Sequence, residues 1–482
     1  MLSMAGKNIF GTLLPCSIIL TFVLPVLEES PLLQLREKKT FNHLATKSPY
    51  TRRPISKFID LKLWTASTVP NTYVPFHIDA LYRHGTRFPS KSKLQAWWST
   101  LTKLRSFDRK HKLKKSFMLW KRHFPHHRNY TLHKTGWNEL TAHAEKVFKI
   151  APKALCDVMN WKGSLLVMTS PKLRVLASAN AFITKLQCLL EVCQRNTITN
   201  KTCGKYKKRK ILKDANDDRN GTVYYGKIPV SINAQLLRTF DNCSKYSNAV
   251  ENNKTADFEH KKFLNSQVFQ RTIAAVSYYF EKPITAPDVI SLYQLCTFES
   301  ALFEQYNICD LFTIESLQVM EYAADLKHYY KTGYGYDINF QLSCRLLQDI
   351  ILRLDIALRK SETERNSSVV LRFGHAETLI PLLCFLNFYK DGIPLTADSF
   401  QLHRHMRLFR TGTFSPFAGS VMFLLYHSIS EAHLPVKLAV ISNDHLIKMP
   451  IANNCYFCDY NIVREYLYSL LAKFNCKQIC HI

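Results

Sequence analysis

YVPFHIDALY (Tyr73–Tyr82), running straight into RHGTRFP (Arg83–Pro89), is the stretch on which the fold turns. The first ten residues read as a buried strand, and the next seven place two arginines and a histidine where that strand must end. Gly85 lets the backbone bend sharply there, so that Arg83, His84 and Arg87 can face one cavity. Two guanidiniums side by side can clamp the non-bridging oxygens of a phosphate and neutralise the charge that repels a nucleophile. An imidazole between them is partly neutral at mild pH and can be that nucleophile.

Two further junctions repeat the pattern. SLLVMT (Ser164–Thr169) is a second strand signal followed by SPKLRVLASANAF, which reads as a helix with Ser170 as N-cap and Pro171 in its first turn. SVVLRF (Ser368–Phe373) leads into GHAETLIPLL in the same way, and VKLAVIS (Val436–Ser442) is one more buried strand. Between about 185 and 365 the pattern is mostly helical. The fold class predicted is α/β, a Rossmann-like mixed sheet flanked by helices, with an inserted mainly α-helical cap. Residues 70–190 form the first part of the core, 191–360 the cap and 361–482 the second part. Open α/β sheets bind ligands at the carboxyl ends of their strands, and helix N-termini there favour anions. At these ends Arg174 can complete the phosphate clamp and His375 can donate to another phosphate oxygen. Glu377 can protonate a leaving alkoxide and then activate water.

Composition sets the surroundings. Of 482 residues, 65 are Lys or Arg and 37 Asp or Glu, a formal charge of +28, while 46% are hydrophobic. That is a folded body with a basic surface rather than a disordered basic tail, and it selects an acidic partner. Residues 1–27 read as a secretory signal, with Lys7 ahead of an uncharged Ile9–Leu27, and an uncleaved signal anchor is the alternative; a membrane contact follows only in that case. A polar lead, 28–69, comes next. There are 14 cysteines and six Asn-x-Ser/Thr acceptors, at Asn129, Asn200, Asn220, Asn242, Asn253 and Asn366. Both predict export through an oxidising compartment, to the outside, the reticulum lumen or the lysosome. Four acceptors share the stretch 200–253 with KYKKRK (Lys205–Lys210), which reads as an exposed glycosylated insertion. The C-terminal CKQICHI carries no KDEL-type retention signal and no lipid-anchor tail.

The three motifs in order, RHGxRxP, SPKLR and HAE, resemble the histidine phosphatase superfamily in its acid phosphatase and phytase branch. More narrowly the chain is similar to the multiple inositol polyphosphate phosphatase family, through HAET (His375–Thr378), DLKHYYKTGYGYDIN (Asp325–Asn339) and CRLLQDI (Cys344–Ile350). The resemblance implies His84 as phosphorylated nucleophile, Glu377 as proton donor, and Arg83, Arg87, Arg174 and His375 as phosphate ligands. It implies stepwise removal of phosphates from inositol hexakisphosphate and lower inositol phosphates, without metal or other cofactor. Bisphosphoglycerate is a further small polyanion of that class, and a nucleic acid partner is not implied. Thr86, Lys331 and Ala376 are added as candidate substrate-binding positions. A broad-specificity histidine acid phosphatase is the alternative.

Several patterns point elsewhere and are weaker. Cys203–Arg209 and Cys458–Arg464 both match Cys-x5-Arg, the spacing of cysteine-dependent phosphatases, yet neither is preceded by His. Cys455-x-x-Cys458 lacks a second ligand pair for zinc, so a disulfide from it to Cys476 or Cys480 is predicted. Cys296 and Cys309 read as a local pair bracketing a short helix. His123, His126 and His127 have no carboxylates beside them and read as surface residues.

Overall fold

A computed structural model describes residues 43–50, 69–123, 130–159, 163–195, 220–363, 367–431, 433–451 and 453–480. The signal stretch, Lys205–Lys210, Asn129, Asn200, Asn366, His126, His127 and Cys203 lie outside the described residues.

Among the described residues nine strands form one mixed sheet: β1 (Tyr73–Arg83), β2 (Gly163–Thr169), β3 (Asn220–Tyr225), β4 (Ile228–Asn233), β5 (Ser367–Gly374), β6 (Ser420–Ser428), β7 (Lys437–Ser442), β8 (His445–Ile447) and β9 (Phe457–Asp459). Their order is β3-β4-β2-β5-β1-β6-β7-β8, with β9 also on β7. β4, β2, β5 and β1 run parallel, so their carboxyl ends share one edge. Register brings these ends level: Arg83 lies opposite Gly374, and Thr169 opposite Phe373. β6 runs antiparallel to β1 and starts at the same edge.

Side chains alternate across the sheet, and each face buries its own core. Ile78, Ala80 and Tyr82 join Leu371 and Phe373 beneath the helices Lys134–Ile150 and Leu173–Arg195. Leu81, Val370 and Phe423 face the other way, under Ala376–Phe385 and the helical layer. On that face Arg372 of β5 is fully buried, ion-paired with Asp79 of β1 and Asp349.

The helical layer draws on more than the middle of the chain. The helix Lys91–Arg105 packs on Ala286–Phe303, with Trp97 5.2 Å from Phe298. Thr285 starts the latter helix in a capping box with Asp288. The stretch read as helical also contains the β3–β4 hairpin, whose two-residue loop puts Gly226 at φ +63°. The segment VYYGKIPVSIN carries a hairpin pattern of its own, but its parallel pairing on β2 is tertiary. Among the described residues no helix is long and apolar enough to cross a membrane.

Disulfides stitch the C-terminus to the helical layer through Cys243–Cys480 and Cys344–Cys476. Cys455 and Cys458 pair with each other, which corrects the predicted link from them to Cys476 or Cys480. Their Cα atoms, 5.4 Å apart across the turn into β9, are within bridging range. Cys296 and Cys309 do pair, but Cys296 lies inside the helix Ala286–Phe303 rather than before a short one. The Cys458 sulfur is therefore no free thiolate, and Cys384 is free and buried.

Candidate active site

The site is built where β1, β2, β5 and β4 end. β1 leaves the sheet with its last amides still paired: Arg83 N donates to Gly419 O and His84 N to Gly374 O, at 2.7 and 3.0 Å. Gly85 has no left-handed φ; it is glycine because a Cβ there would meet Gly136 O at 2.4 Å. The sharp bend expected of it is thus a close backbone crossing. Gly85 N donates to Ser178 Oγ, and Glu139 takes both Thr86 N and Thr86 Oγ1, at 2.7 and 2.9 Å. The loop is fixed before any ligand arrives.

His84 lies buried with Nδ1 2.9 Å from Gly85 O. A carbonyl only accepts, so Nδ1 carries the proton and Nε2 keeps its lone pair. Burial and the charges of Arg83, Arg174 and Arg87 hold the imidazole well below its ordinary pKa. It stays neutral, and so nucleophilic, in acidic solution.

Arg83 is buried and donates through Nη1 to Thr46 O and Ser415 O, both at 2.7 Å. Burial, with repulsion from Arg87 and Arg174, lowers it to about 9, and Arg87 is lowered to about 10. Arg87 lies over the Tyr130 ring, as does Arg174, their guanidinium carbons 4.8 and 5.4 Å from its centroid. The Nε atoms of Arg83, Arg87 and Arg174 are buried without a hydrogen-bond partner. Three cations with donors unsatisfied, packed round a neutral imidazole, form a receptacle for an anion.

β5 delivers His375, whose ring lies edge-on to His84 at 5.7 Å. Its Nε2 is 2.8 Å from Ser170 Oγ and 2.9 Å from Arg238 Nη1. A guanidinium only donates and a neutral imidazole accepts at one nitrogen, so the shorter contact decides: Nε2 accepts from Arg238 and Nδ1 carries the proton. Arg174 Nη2, 3.3 Å from Nδ1, is then a second donor beside it and not its partner, and the two can share an anion's oxygen. His375 N donates to Thr378 Oγ1, starting the helix that carries Glu377 in its first turn. Burial opposes the charge on Glu377, but His375, its own backbone amide and Arg83 hold the carboxyl well below the usual range.

Beside Glu377 and Arg87 opens a cavity of about 440 Å³. Its lining mixes apolar Ile290, Phe298 and Met320 with the cations Lys47, Lys93, Lys327 and Lys331. Lys327, His328 and Lys331 come from the end of the helix Ile314–Thr332.

The histidine phosphatase superfamily (branch 2) model matches residues 77–439 of the chain. The chain belongs to this family. It is 38% identical over 205 residues to multiple inositol polyphosphate phosphatase 1 of Homo sapiens, covering 41% of this chain and 42% of that protein. To the protein of the same name from Gallus gallus it is 32% identical over 262 residues, covering 52% and 58%. The chain thus spans about half the length of the curated relatives it matches. Its fold is similar to the crystal structure of Bifidobacterium longum multiple inositol polyphosphate phosphatase in complex with inositol hexasulfate. The TM-score is 0.66 at 14% identity, over 88% of this chain and 97% of that one.

In this member of the histidine phosphatase superfamily the structure brings together Arg83, His84, Arg87, Arg174, His375 and Glu377, with Lys331 lining the cavity. Thr86 is fully buried, and its hydroxyl donates to Glu139 and braces the loop. Ala376 is buried at the first helical position and lines no part of the cavity. Ser170 is no N-cap; the helix starts at Leu173, which leaves the hydroxyl free for His375.

Arg238 was missed by the sequence reasoning. It follows β4 and the short helix Ala234–Leu237, and grips Asp241 through Nε and Nη2 at 2.6 and 2.7 Å. The signal was present in VYYGKIPVSINAQLLR, a hairpin followed by Asn233 as helix cap: a fourth strand-to-helix junction with an arginine after it.

Proposed function

We propose that the chain is a phosphomonoesterase that removes phosphates stepwise from inositol hexakisphosphate and lower inositol polyphosphates through a phosphohistidine. The observation that carries this reading is the neutral His84 held against three arginines, one of which, Arg87, lines with Glu377 and four lysines the adjoining cavity. The names of the relatives, and the hexasulfate bound by the bacterial one, support the substrate class. Bisphosphoglycerate is a smaller polyanion for the same clamp.

In this mechanism Arg83, Arg87, Arg174 and the Nδ1–H of His375 bind the phosphate, and Nε2 of His84 attacks phosphorus in line. The N–P bond forms as the P–O bond to the ring breaks, and Glu377 gives its proton to the leaving alkoxide. Glu377 then takes a proton from water as that water attacks phosphorus, freeing inorganic phosphate and restoring His84. The arginines neutralise charge on the phosphoryl oxygens throughout.

Quenching turnover of labelled inositol hexakisphosphate tests the reading. An acid-labile, base-stable phosphoenzyme is expected in the native chain and absent from His84→Ala. Substantial turnover by His84→Ala would overturn it, and a strong preference for a simple aryl phosphate would favour the broad acid phosphatase.

Passage through the secretory pathway with N-glycosylation is the companion proposal. It is supported by disulfides, among them Cys243–Cys480, Cys296–Cys309, Cys344–Cys476 and Cys455–Cys458, and by exposed acceptors at Asn242 and Asn253. An electrophoretic shift of the exported chain on enzymatic deglycosylation is expected, and no shift would refute it.

A further inference from the structure

The segment His43–Tyr50 belongs to the polar lead before β1, far in sequence from the three motifs. It nevertheless crosses the active site as a strap latched at both ends by buried carboxylates. His43 Nδ1 meets Glu321 Oε2 at 2.9 Å, and Tyr50 N donates to Glu139 Oε1 at 3.2 Å. Glu139 is the residue that also braces Thr86, so strap and catalytic loop share one anchor. Tyr293 Oη donates to His43 O, Phe417 N to Ser48 O, and Arg83 Nη1 to Thr46 O. So many ties hold Ala45 at φ +47°, a left-handed conformation that costs a residue with a Cβ about 1 kcal/mol or more.

What the strap presents is Lys47. Its Nζ lies 3.3 Å from Thr46 Oγ1 and 5.5 Å from the Phe417 ring centroid, and among the described residues it has no carboxylate at ion-pair distance. Together with Arg87, Lys93 and Glu377 it lines the cavity. Burial, then repulsion from Arg83, Arg87 and Lys93, holds this amine well below the ordinary lysine range, with only Glu377 opposing. An amine desolvated among cations is a poor way to stabilise a strap. It becomes favourable when an anion enters the cavity.

We infer that Lys47 is a specificity-determining substrate ligand. Its ammonium takes a phosphate of the bound ring other than the one under attack, so that the strap selects polyphosphorylated alcohols over simple phosphate monoesters. This rests on the phosphomonoesterase reading above and adds to it a residue outside its motifs.

The test compares kcat/KM of the full chain with its Lys47→Met and Lys47→Arg variants, on inositol hexakisphosphate and on p-nitrophenyl phosphate. Thermal melts establish that both variants fold. A charge-assisted hydrogen bond predicts that Lys47→Met loses about 10- to 100-fold on the hexakisphosphate, mainly in KM, and far less on the aryl ester. Lys47→Arg should recover most of that loss. Equal losses on both substrates would mean that Lys47 only supports the strap and Arg83, and would overturn the inference alone, as would no loss on either. A native chain that hydrolyses the aryl ester but not the hexakisphosphate would overturn it together with the reading beneath it.

Discussion

Arg238→Leu isolates a contact that no motif announces. The substitution removes the donor 2.9 Å from His375 Nε2 and the two donors to Asp241. Asp241 is 39% exposed at its side chain, so losing that pair costs stability about 1 kcal/mol at most. The bond to His375 is different, because a charged donor meets a buried acceptor, an interaction of about 1.5–3 kcal/mol. Ser170 Oγ remains on Nε2, but a neutral hydroxyl that is both donor and acceptor no longer fixes the tautomer. The proton on Nδ1, which in the proposed mechanism donates to the phosphate, then has a competitor state. If Arg238 acts only by presenting that proton, kcat/KM falls by about 10- to 150-fold. The loss should be the same for inositol hexakisphosphate and p-nitrophenyl phosphate, since the phosphate under attack is common to both. The deciding assay is a double-mutant cycle with His375→Ala, in which Arg238→Leu should cost less than about threefold once the imidazole is gone. Full additivity of the two losses would refute the reasoning and make Arg238 a direct substrate ligand.

Two further outcomes follow from the charges. Glu377→Gln should slow release from alkyl phosphates by about 10²- to 10⁴-fold and from p-nitrophenyl phosphate far less, because nitrophenolate leaves without a proton. The acid form of Glu377 is lost as pH rises, so alkyl-ester turnover falls with pH in the native chain and loses that dependence in the variant; equal losses on both esters would remove Glu377 from the acid role. At Glu321, burial is outweighed by Arg407, Arg410 and His43, and the carboxyl is lowered to about 2. Lowered in the folded state, it contributes stability above the unfolded value of 4.5, on the order of 3 kcal/mol, that is lost as pH falls from there toward 2. Glu321→Gln should therefore depress the melting temperature strongly at pH 7 and little near pH 2; a pH-independent difference would contradict this.

The strand-to-helix junctions of β1, β2 and β5 were legible because each is an apolar run ended by a polar motif, and such runs need no tertiary information. Three things were not. β4 carries Pro229 and polar residues, so its place beside β2, and with it the position of Arg238, emerges only when the sheet assembles. Glu139 sits in mid-helix, where a glutamate ordinarily faces water; its burial follows from the Gly85–Gly136 crossing that sets Thr86 against it. Lys47 lies in a lead with no motif, and only the carboxylates at the strap's ends show where it goes. Of the disulfides the local pair Cys296–Cys309 was legible, but the partners of Cys455, Cys458, Cys476 and Cys480 were not, because pairing is decided by Cα distances that spacing does not encode.

The same field acts in opposite senses on the two groups that must exchange roles. Burial with the charges of Arg83, Arg174 and Arg87 keeps His84 unprotonated, which the attack requires, and Arg83 helps to keep Glu377 ionised, which the attack does not. In the protein by itself one requirement is met and the other fails. A phosphate monoester brings about −1.5 to −2 charges near neutrality. Placed among the arginines it cancels much of their potential at Glu377, so the carboxyl can hold a proton. His84 remains neutral because it is still buried and donating Nδ1–H to Gly85 O. Substrate therefore completes the acid without disabling the nucleophile, and a site this cationic is competent only when an anion fills it.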